Sequence, residues 1–158
     1  MTVVSNAGPL IALARIGRFD LLRRIFDHVI IPQAVYDEVV VKGSGRPGSD
    51  ETHQALGDWI EIASVNNAAV ARSLATKLGQ GESEAIALAI DLSADIILLN
   101  DGKARATADF MGLHVTGTVG LLAQAQRLGL LADLRQVLDE LRANGFRIDD
   151  EVYRRVLA

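Results

Sequence analysis

Several positions in the sequence put oxygen-bearing side chains where an apolar run ends or a helix begins. Asn6 follows the apolar pair at 3–4, and Asp101 follows the apolar run at 96–99. Glu38 lies one to two turns into the helix expected after a second apolar run, while Glu82 and Glu84 open a helix of high propensity. Carboxylate and amide oxygens are ligands that Mg²⁺ and Mn²⁺ prefer, whereas zinc prefers nitrogen or sulfur. A cluster of them would suit metal-dependent phosphodiester hydrolysis, because a cation cancels repulsion between the acids, lowers the pKa of bound water and stabilises charge on a phosphate.

Each of these residues also has a purely structural interpretation. Asn6 can bond local backbone in a turn, and Glu38 can be a solvated helix residue. Glu82 and Glu84 complement a positive helix N-terminus, and Asp101 can cap the next helix. Glu82 and Glu84 are two residues apart and point in different directions, so we expect at most one to face a shared cleft. The functional interpretation depends on all of them falling near strand tips.

The elements that must position these residues alternate between strands and helices. Short apolar runs at 3–4, 29–31 and 96–99 predict strands, as do the segments at 59–62 and 114–116, and the intervening segments have helical spacing. The run at 96–99 is apolar throughout, as expected for a strand covered on both faces of a parallel sheet. The chain therefore predicts one α/β domain over 1–158, with a mainly parallel sheet and helices on both faces. Ligands bind such sheets at the carboxyl ends of the strands.

Two finer expectations concern loops and the C-terminal helices. Residues 43–50 predict the only low-complexity loop, and helices are expected at 118–128, 133–143 and 150–157. An apolar stripe at helical spacing within the second of these helices suits either a dimer interface or the internal core; its residues are Leu134, Val137, Leu138 and Leu141.

Composition excludes several classes of protein. At 158 residues and 49% hydrophobic, the chain can bury a sizeable core. It has no cysteine, which excludes disulfides, thiolate metal sites and cysteine nucleophiles. No secretory signal pattern or membrane-length apolar run is evident, so we expect a soluble cytoplasmic protein without membrane association. The sequence contains no P-loop and no G-x-S-x-G elbow, and its G-x-G-x-x-G spelling at 43–48 contains proline and follows no strand.

The charge balance argues against a nucleic-acid clamp acting through bulk electrostatics. There are 16 Lys and Arg against 20 Asp and Glu, for a net charge of −4. A local basic patch stays open, because Lys103 and Arg105 follow Asp101 and Arg46 lies in the predicted loop. These three side chains are candidates to hold the phosphates of a single strand. The alternative for each is an ordinary solvated charge.

Four segments resemble, in chain order, the blocks of a PIN domain. They are VVSNAGPLI at 3–11, IPQAVYDEV at 31–39, GESEAIALA at 81–89 and ILLNDGKAR at 97–105. Residues 116–122 and 141–148 look like one prokaryotic PIN-like branch related to VapC-type toxin ribonucleases. The resemblance implies a three-layer α/β/α sandwich around a parallel sheet of about five strands. It also implies a Mg²⁺- or Mn²⁺-dependent endoribonuclease for single-stranded RNA, often a homodimer and often the toxin paired with an antitoxin protein.

Carried over position by position, the resemblance assigns the catalytic and metal-binding set to Asn6, Glu38, Glu82 or Glu84, and Asp101. The Gly-Glu pair at 81–82 favours Glu82. Most active members of the family carry Asp where this chain has Asn6, and Asn100 likewise replaces an acid often seen beside Asp101. An amide oxygen can still bind a metal, but it has no charge and cannot act as a base.

Three functions are therefore compared. In the first, Glu38, Glu82 and Asp101 hold Mg²⁺ with Asn6 as an additional ligand, and Asp101 or a neighbouring carboxylate orients the attacking water. In the second, the chain is a catalytically degenerate PIN-like module that binds nucleic acid or a protein partner. The third, a receiver- or flavodoxin-like domain, rests on α/β alternation alone and lacks an acidic pair after the first strand.

Overall fold

The computed structural model describes residues 1–158 and contains five strands. They are β1 (Val3–Ser5), β2 (Val29–Pro32), β3 (Ile60–Ala63), β4 (Ile96–Leu98) and β5 (Val115–Thr116). All neighbouring strands are parallel, in the order β3-β2-β1-β4-β5. The predicted five-stranded parallel sheet is confirmed. Because the sheet grows in one direction from β1 through β2 and β3, and in the other through β4 and β5, its topological switch point lies between β1 and β4.

Helices cover both faces of the sheet and give the three-layer sandwich that was expected. They are α1 (Ala7–Arg15), α2 (Leu21–Phe26), α3 (Gln33–Tyr36), α4 (Ser49–Ala55), α5 (Ala68–Leu74), α6 (Gln80–Asp91), α7 (Gly102–Phe110), α8 (Thr118–Arg127), α9 (Leu134–Ala143) and α10 (Asp150–Leu157). A π-helical turn, Asp37–Val41, continues directly from α3.

Two separate cores lie on opposite faces of the sheet. Side chains alternate across a strand, so Val3 joins a cluster of 26 buried residues while its neighbour Val4 joins a second cluster of 10. On β4, Leu98 belongs to the larger cluster and Ile97 to the smaller one. Burial on both faces explains why β4 is apolar throughout and why β1 begins with two consecutive valines.

The prediction of a loop over 43–50 is wrong for its last two residues, because α4 begins at Ser49. Gly48 precedes the helix with φ of 98°, a conformation that favours glycine, and its N–H donates to Glu51 at 3.3 Å. The buried face of α4 consists of Ser49, Thr52 and Ala55 rather than large apolar residues. No hydrophobic period therefore marks this helix in the sequence.

The apolar stripe of α9 is internal core. Its four residues, Leu134, Val137, Leu138 and Leu141, are at most 2% exposed in the single chain. They pack within the larger cluster and leave no apolar stripe on the outside of α9. A homodimer would need another surface.

None of the helices combines the length and the apolar character needed to cross a membrane.

Asn100 ties the end of β4 to the start of α8. Its Oδ1 accepts from both the N–H and the hydroxyl of Thr118, each at 2.9 Å, and Thr118 is only 1% exposed. We expect Asn100→Ala to lower the free energy of unfolding by about 1–3 kcal/mol, because two buried donors lose their acceptor. Urea denaturation at constant m-value measures the change. The control Asn100→Asp keeps an acceptor oxygen and should lose less; an alanine variant within about 0.5 kcal/mol of the native chain contradicts this assignment.

Candidate functional site

Asn6 stands at the carboxyl end of β1, at the switch point of the sheet. Its N–H donates to Leu98 O at 3.0 Å, which fixes the residue against the end of β4. Asn6 is the N-cap of α1, yet its side chain makes no capping hydrogen bond, and the residue is 8% exposed. The amide is therefore held at the cleft without a structural hydrogen bond of its own.

Asn6 and Glu38 converge on Gly81. A Cβ atom built on Gly81 would lie 3.2 Å from Asn6 Oδ1 and 3.1 Å from Glu38 Oε1. Any side chain at this position would enter the space that the two oxygens share. Glu38 itself is exposed and projects from the π-helical turn. Such turns insert an extra residue into a helix, change the direction of the side chains that follow and are frequent at functional sites.

Glu82 completes the acidic group from the first turn of α6. Its Oε1 accepts from the N–H of Gly79 at 3.1 Å, as expected for an acid at a helix N-terminus. The pKa of Glu82 is raised above its ordinary value, first by burial and then by the negative charges of Asp101 and Glu38, while the Gly79 hydrogen bond opposes the rise. The charges of Glu38, Glu82 and Asp101 therefore act on one another across one cleft.

Asp101 caps α7 and keeps one oxygen unengaged. Its Oδ2 accepts from the N–H of Ala104 at 3.0 Å, so it does cap the helix as the structural interpretation required. Its Oδ1 has no hydrogen-bond partner within the chain, and the side chain is exposed. Capping and a role in the cleft are compatible because they use different oxygens.

The carboxylate of Glu84 makes hydrogen bonds outside the acidic group. Its Oε1 accepts from the N–H of Ala34 at 3.2 Å, and its Oε2 accepts from Gln80 Nε2 at 3.2 Å. Both oxygens are engaged in holding the start of α3 and the first turn of α6. The structure thus groups Glu82, and not Glu84, with Glu38 and Asp101.

The donors fit a hard divalent cation by their chemistry. Asn6, Glu38, Glu82 and Asp101 each offer at least one oxygen without a hydrogen-bond partner, and the pKa of Glu82 is raised first by burial and then by its acidic neighbours. No group of three or more acidic, histidine or cysteine side chains is already gathered at metal-binding distance. Carboxylate side chains would have to rotate inward to hold an ion, and Asn6 Oδ1 and Glu38 Oε1 already border the space above Gly81.

The three basic candidates occupy different places. Lys103 is exposed in the first turn of α7, two residues beyond Asp101. Arg105 lies with its guanidinium against Gly117, just before α8. Arg46 is exposed in the turn before α4 and makes no side-chain hydrogen bond or salt bridge. Only Lys103 is adjacent in sequence to the acidic group.

Sequence reasoning missed the contribution of Gly81. The sequence predicted that Glu82 and Glu84 open the helix, but α6 already begins at Gln80 and Gly81 lies in its first turn. A glycine inside a helix lowers the stability of that helix. Its presence there can therefore indicate that other groups approach the backbone closely. Here the approaching groups are the oxygens of Asn6 and Glu38.

Fold and site together define a parallel α/β domain with an acidic cleft at its switch point. A family model described as PIN domain matches residues 2–158. The chain therefore belongs to the PIN domain family, whose members are generally nucleases and typically use divalent metals. This confirms the resemblance drawn from the sequence. A search of the curated proteins gave no match to the chain.

The raised pKa of Glu82 makes the stability of the fold depend on pH. The folded chain binds this proton more tightly than the unfolded chain, so the free energy of unfolding falls as pH rises through the raised pKa. Glu82→Gln removes the titration and keeps an acceptor for Gly79. In EDTA we expect the variant to melt higher than the native chain at pH 7, and the difference to shrink towards pH 4, near the ordinary pKa of Glu.

The control for this measurement is Glu84→Gln, which lies on the same helix but replaces an acid with both oxygens hydrogen-bonded. It should give no such gain at pH 7. A melting temperature for Glu82→Gln that is equal to or below that of the native chain across this range would contradict the raised pKa of Glu82.

Proposed function

We propose that this chain is a Mg²⁺- or Mn²⁺-dependent endoribonuclease that cuts single-stranded RNA. The observation that carries the proposal is the approach of Asn6 Oδ1 and Glu38 Oε1 to one point above Gly81. The pKa of Glu82 supports it, because it is raised by burial and further by the charges of Asp101 and Glu38, which a divalent cation would offset.

In this proposal Asn6, Glu38, Glu82 and Asp101 hold the cation. Bound there, Mg²⁺ or Mn²⁺ supplies a Lewis acid that offsets negative charge on the scissile phosphate and lowers the pKa of water. Asp101 keeps Oδ2 on Ala104 and uses Oδ1 to orient the attacking water and accept its proton. The cap fixes the backbone and one oxygen of Asp101, so this carboxylate enters the reaction with a restricted orientation.

In the proposal, RNA is bound by individual basic side chains near the acids and not by the overall charge of the chain. With a net charge of −4, the chain cannot attract RNA through its overall field. Lys103 lies two residues beyond Asp101 and is the basic residue best suited to hold a phosphate beside the acids. Arg105, against Gly117, and Arg46, in the turn before α4, are further candidates. The toxin role, an antitoxin partner and a homodimer belong to the proposal as its biological setting and come from the family resemblance.

A second candidate is a catalytically silent module that binds RNA or a protein partner. Two observations favour it: an amide occupies position 6, and no three acids are gathered at metal-binding distance. This candidate predicts RNA or partner binding that persists in EDTA, without cleavage.

The first test is cleavage of a labelled single-stranded RNA in Mn²⁺, compared with EDTA and with Asp101→Asn. We expect metal-dependent fragments and a loss of about 100-fold or more in the variant, the scale of a missing general base. Asparagine retains an oxygen for the Ala104 N–H, so the melting temperature should stay near that of the native chain. A native chain that releases no fragments in Mn²⁺, or an Asp101→Asn variant that cleaves equally well, rejects the nuclease proposal.

Asn6→Asp tests whether the amide limits the site. An added carboxylate raises the charge of the ligand set, so we expect Mn²⁺ affinity to increase by about tenfold, together with the cleavage rate at low Mn²⁺. Isothermal titration measures the affinity. Cleavage that arises only after this change would mean an intact scaffold silenced at position 6, and no cleavage from either chain would favour the binding module.

Gly81→Ala tests the shared space directly. Its methyl group would meet Asn6 Oδ1 at 3.2 Å and Glu38 Oε1 at 3.1 Å. Alanine favours the helix by about 0.5–1 kcal/mol, which offsets the tight contacts of its methyl group with these two oxygens, and the melting temperature in EDTA shows whether the apo protein folds. We expect the rise in melting temperature caused by Mn²⁺ to disappear. The matched control is Gly102→Ala in the first turn of α7, where nothing lies within 4 Å. A Mn²⁺-induced rise equal in both variants would show that this space does not take the cation.

A further inference from the structure

A groove lies between α7 and the segment that joins α5 to α6. It encloses about 520 Å³. One wall is formed by Lys103, Thr107 and Phe110, which recur at helical spacing along one face of α7. The other wall includes Lys77 and Leu78.

Phe110 is exposed to an unusual degree. The residue is 91% exposed, so its ring packs against almost nothing in the chain. Burying a phenylalanine side chain stabilises a fold by about 1.5–3 kcal/mol, and Phe110 contributes almost none of this stabilisation. Phe110 therefore has no evident part in folding and stands available for a ligand.

The charge of the groove restricts what that ligand can be. Its lining contains Lys77 and Lys103 and no acidic residue, although acids outnumber bases in the chain as a whole. A comparable pocket of about 430 Å³, beside Phe19 and Trp59, is lined by three acids and would repel a polyanion. The groove at Phe110 instead combines positive charge with an open aromatic face, the combination that binds single-stranded nucleic acid.

Both walls of the groove lead to the acidic cleft. On one wall Lys103 is two residues beyond Asp101. On the other, Leu78 precedes Gly79, whose N–H binds Glu82. From Lys103 to Phe110 the helix rises about 10 Å, at 1.5 Å per residue. A strand lying in the groove would therefore reach the acids at one end and Phe110 at the other.

We propose that this groove holds the single-stranded RNA substrate beside the cleavage site, with a base stacked on Phe110 and phosphates on Lys77 and Lys103. The inference rests on the proposed nuclease function and adds a positioning residue to it. Phe110 contacts the strand at a distance from the scissile bond, so it sets how tightly and in which register the RNA binds.

Binding is measured first, in EDTA and at low salt, with a short fluorescein-labelled single-stranded RNA and the full chain. We expect Phe110→Ala to weaken binding by about tenfold, within the range measured for loss of one base–aromatic stack. Lys77→Gln should weaken binding and reduce the slope of log K against log salt by about 0.7, the value for one phosphate contact on a single strand. The matched control, Leu128→Ala, removes a side chain that is 55% exposed at the end of α8 and outside the groove, and should bind normally.

Phe110→Trp supplies a spectroscopic signature that a merely electrostatic contact would not give. The native chain has one tryptophan, Trp59, which is 6% exposed. The variant should retain RNA affinity, and its additional fluorescence should be quenched as the RNA is added, while the native signal stays unchanged. The matching RNA duplex should compete poorly, because its bases are not open for stacking.

Several outcomes would overturn the inference. These are equal affinity of Phe110→Ala and the native chain, no RNA binding by the native chain, or no quenching in Phe110→Trp. A shift from dimer to monomer in Phe110→Ala, seen by sedimentation, would assign the ring to contact with a second copy instead.

Cleavage kinetics separate this inference from the proposed function. If the native chain cleaves RNA in Mn²⁺ and Phe110→Ala has an unchanged KM, the inference fails and the nuclease stands. If the native chain does not cleave but its binding depends on Phe110, the nuclease proposal fails and the RNA groove stands. A raised KM with kcat largely retained supports both.

Discussion

The parallel pairing of β1 with β4 is the constraint on which the site depends. Val3, Val4 and Ser5 are in register with residues 96–98, and the N–H of Asn6 extends this ladder to Leu98 O. The helices that follow these two strands, α1 and α7, pack on opposite faces of the sheet, and this arrangement places a crevice at the carboxyl ends of the strands. Asn6 and Asp101 follow the two strands and so flank that crevice. The burial of both strands on both faces holds this geometry rigid.

The acidic cleft is stabilised by the surrounding fold rather than by its own contacts. Burial and the charges of Asp101 and Glu38 raise the pKa of Glu82, so at neutral pH the ionised group weakens the fold. Two features of the backbone lower the stability of the fold further. One is the glycine within α6, and the other is the π-helical turn after α3. Both serve to bring Glu38 and Asn6 to one point. Acidic charge and locally unfavourable helix features concentrated at one edge of an otherwise regular sheet are typical of a functional site.

The strands and the family could be predicted from sequence because uninterrupted apolar runs have few alternatives. The run at 96–99 had to lie inside a sheet, and parallel order followed from the alternation with helices. The short helix α4 escaped prediction because its buried residues are small and polar. The direction of Glu84 also needed coordinates, since its contact with the Ala34 N–H joins residues 50 apart in the chain. Spacing indicated only that Glu82 and Glu84 point in different directions, and it could not predict which of them contacts α3.

Asn6 and Asn100, the two asparagines at positions where the sequence resemblance led us to expect acids, have different surroundings in the structure. Asn100 has a structural explanation, since its Oδ1 holds both donors of the buried Thr118. Aspartate could accept the same two hydrogen bonds, so the amide there does not by itself indicate lost catalysis. Asn6 has no such explanation, because its side chain makes no hydrogen bond and its Oδ1 meets Glu38 Oε1 above Gly81. Asn6 adds an oxygen to the cleft without adding to the repulsion that already raises the pKa of Glu82. The identity of residue 6 thus affects both the stability of the empty cleft and its affinity for a cation. The two candidate functions differ in whether the site works with an amide at this position.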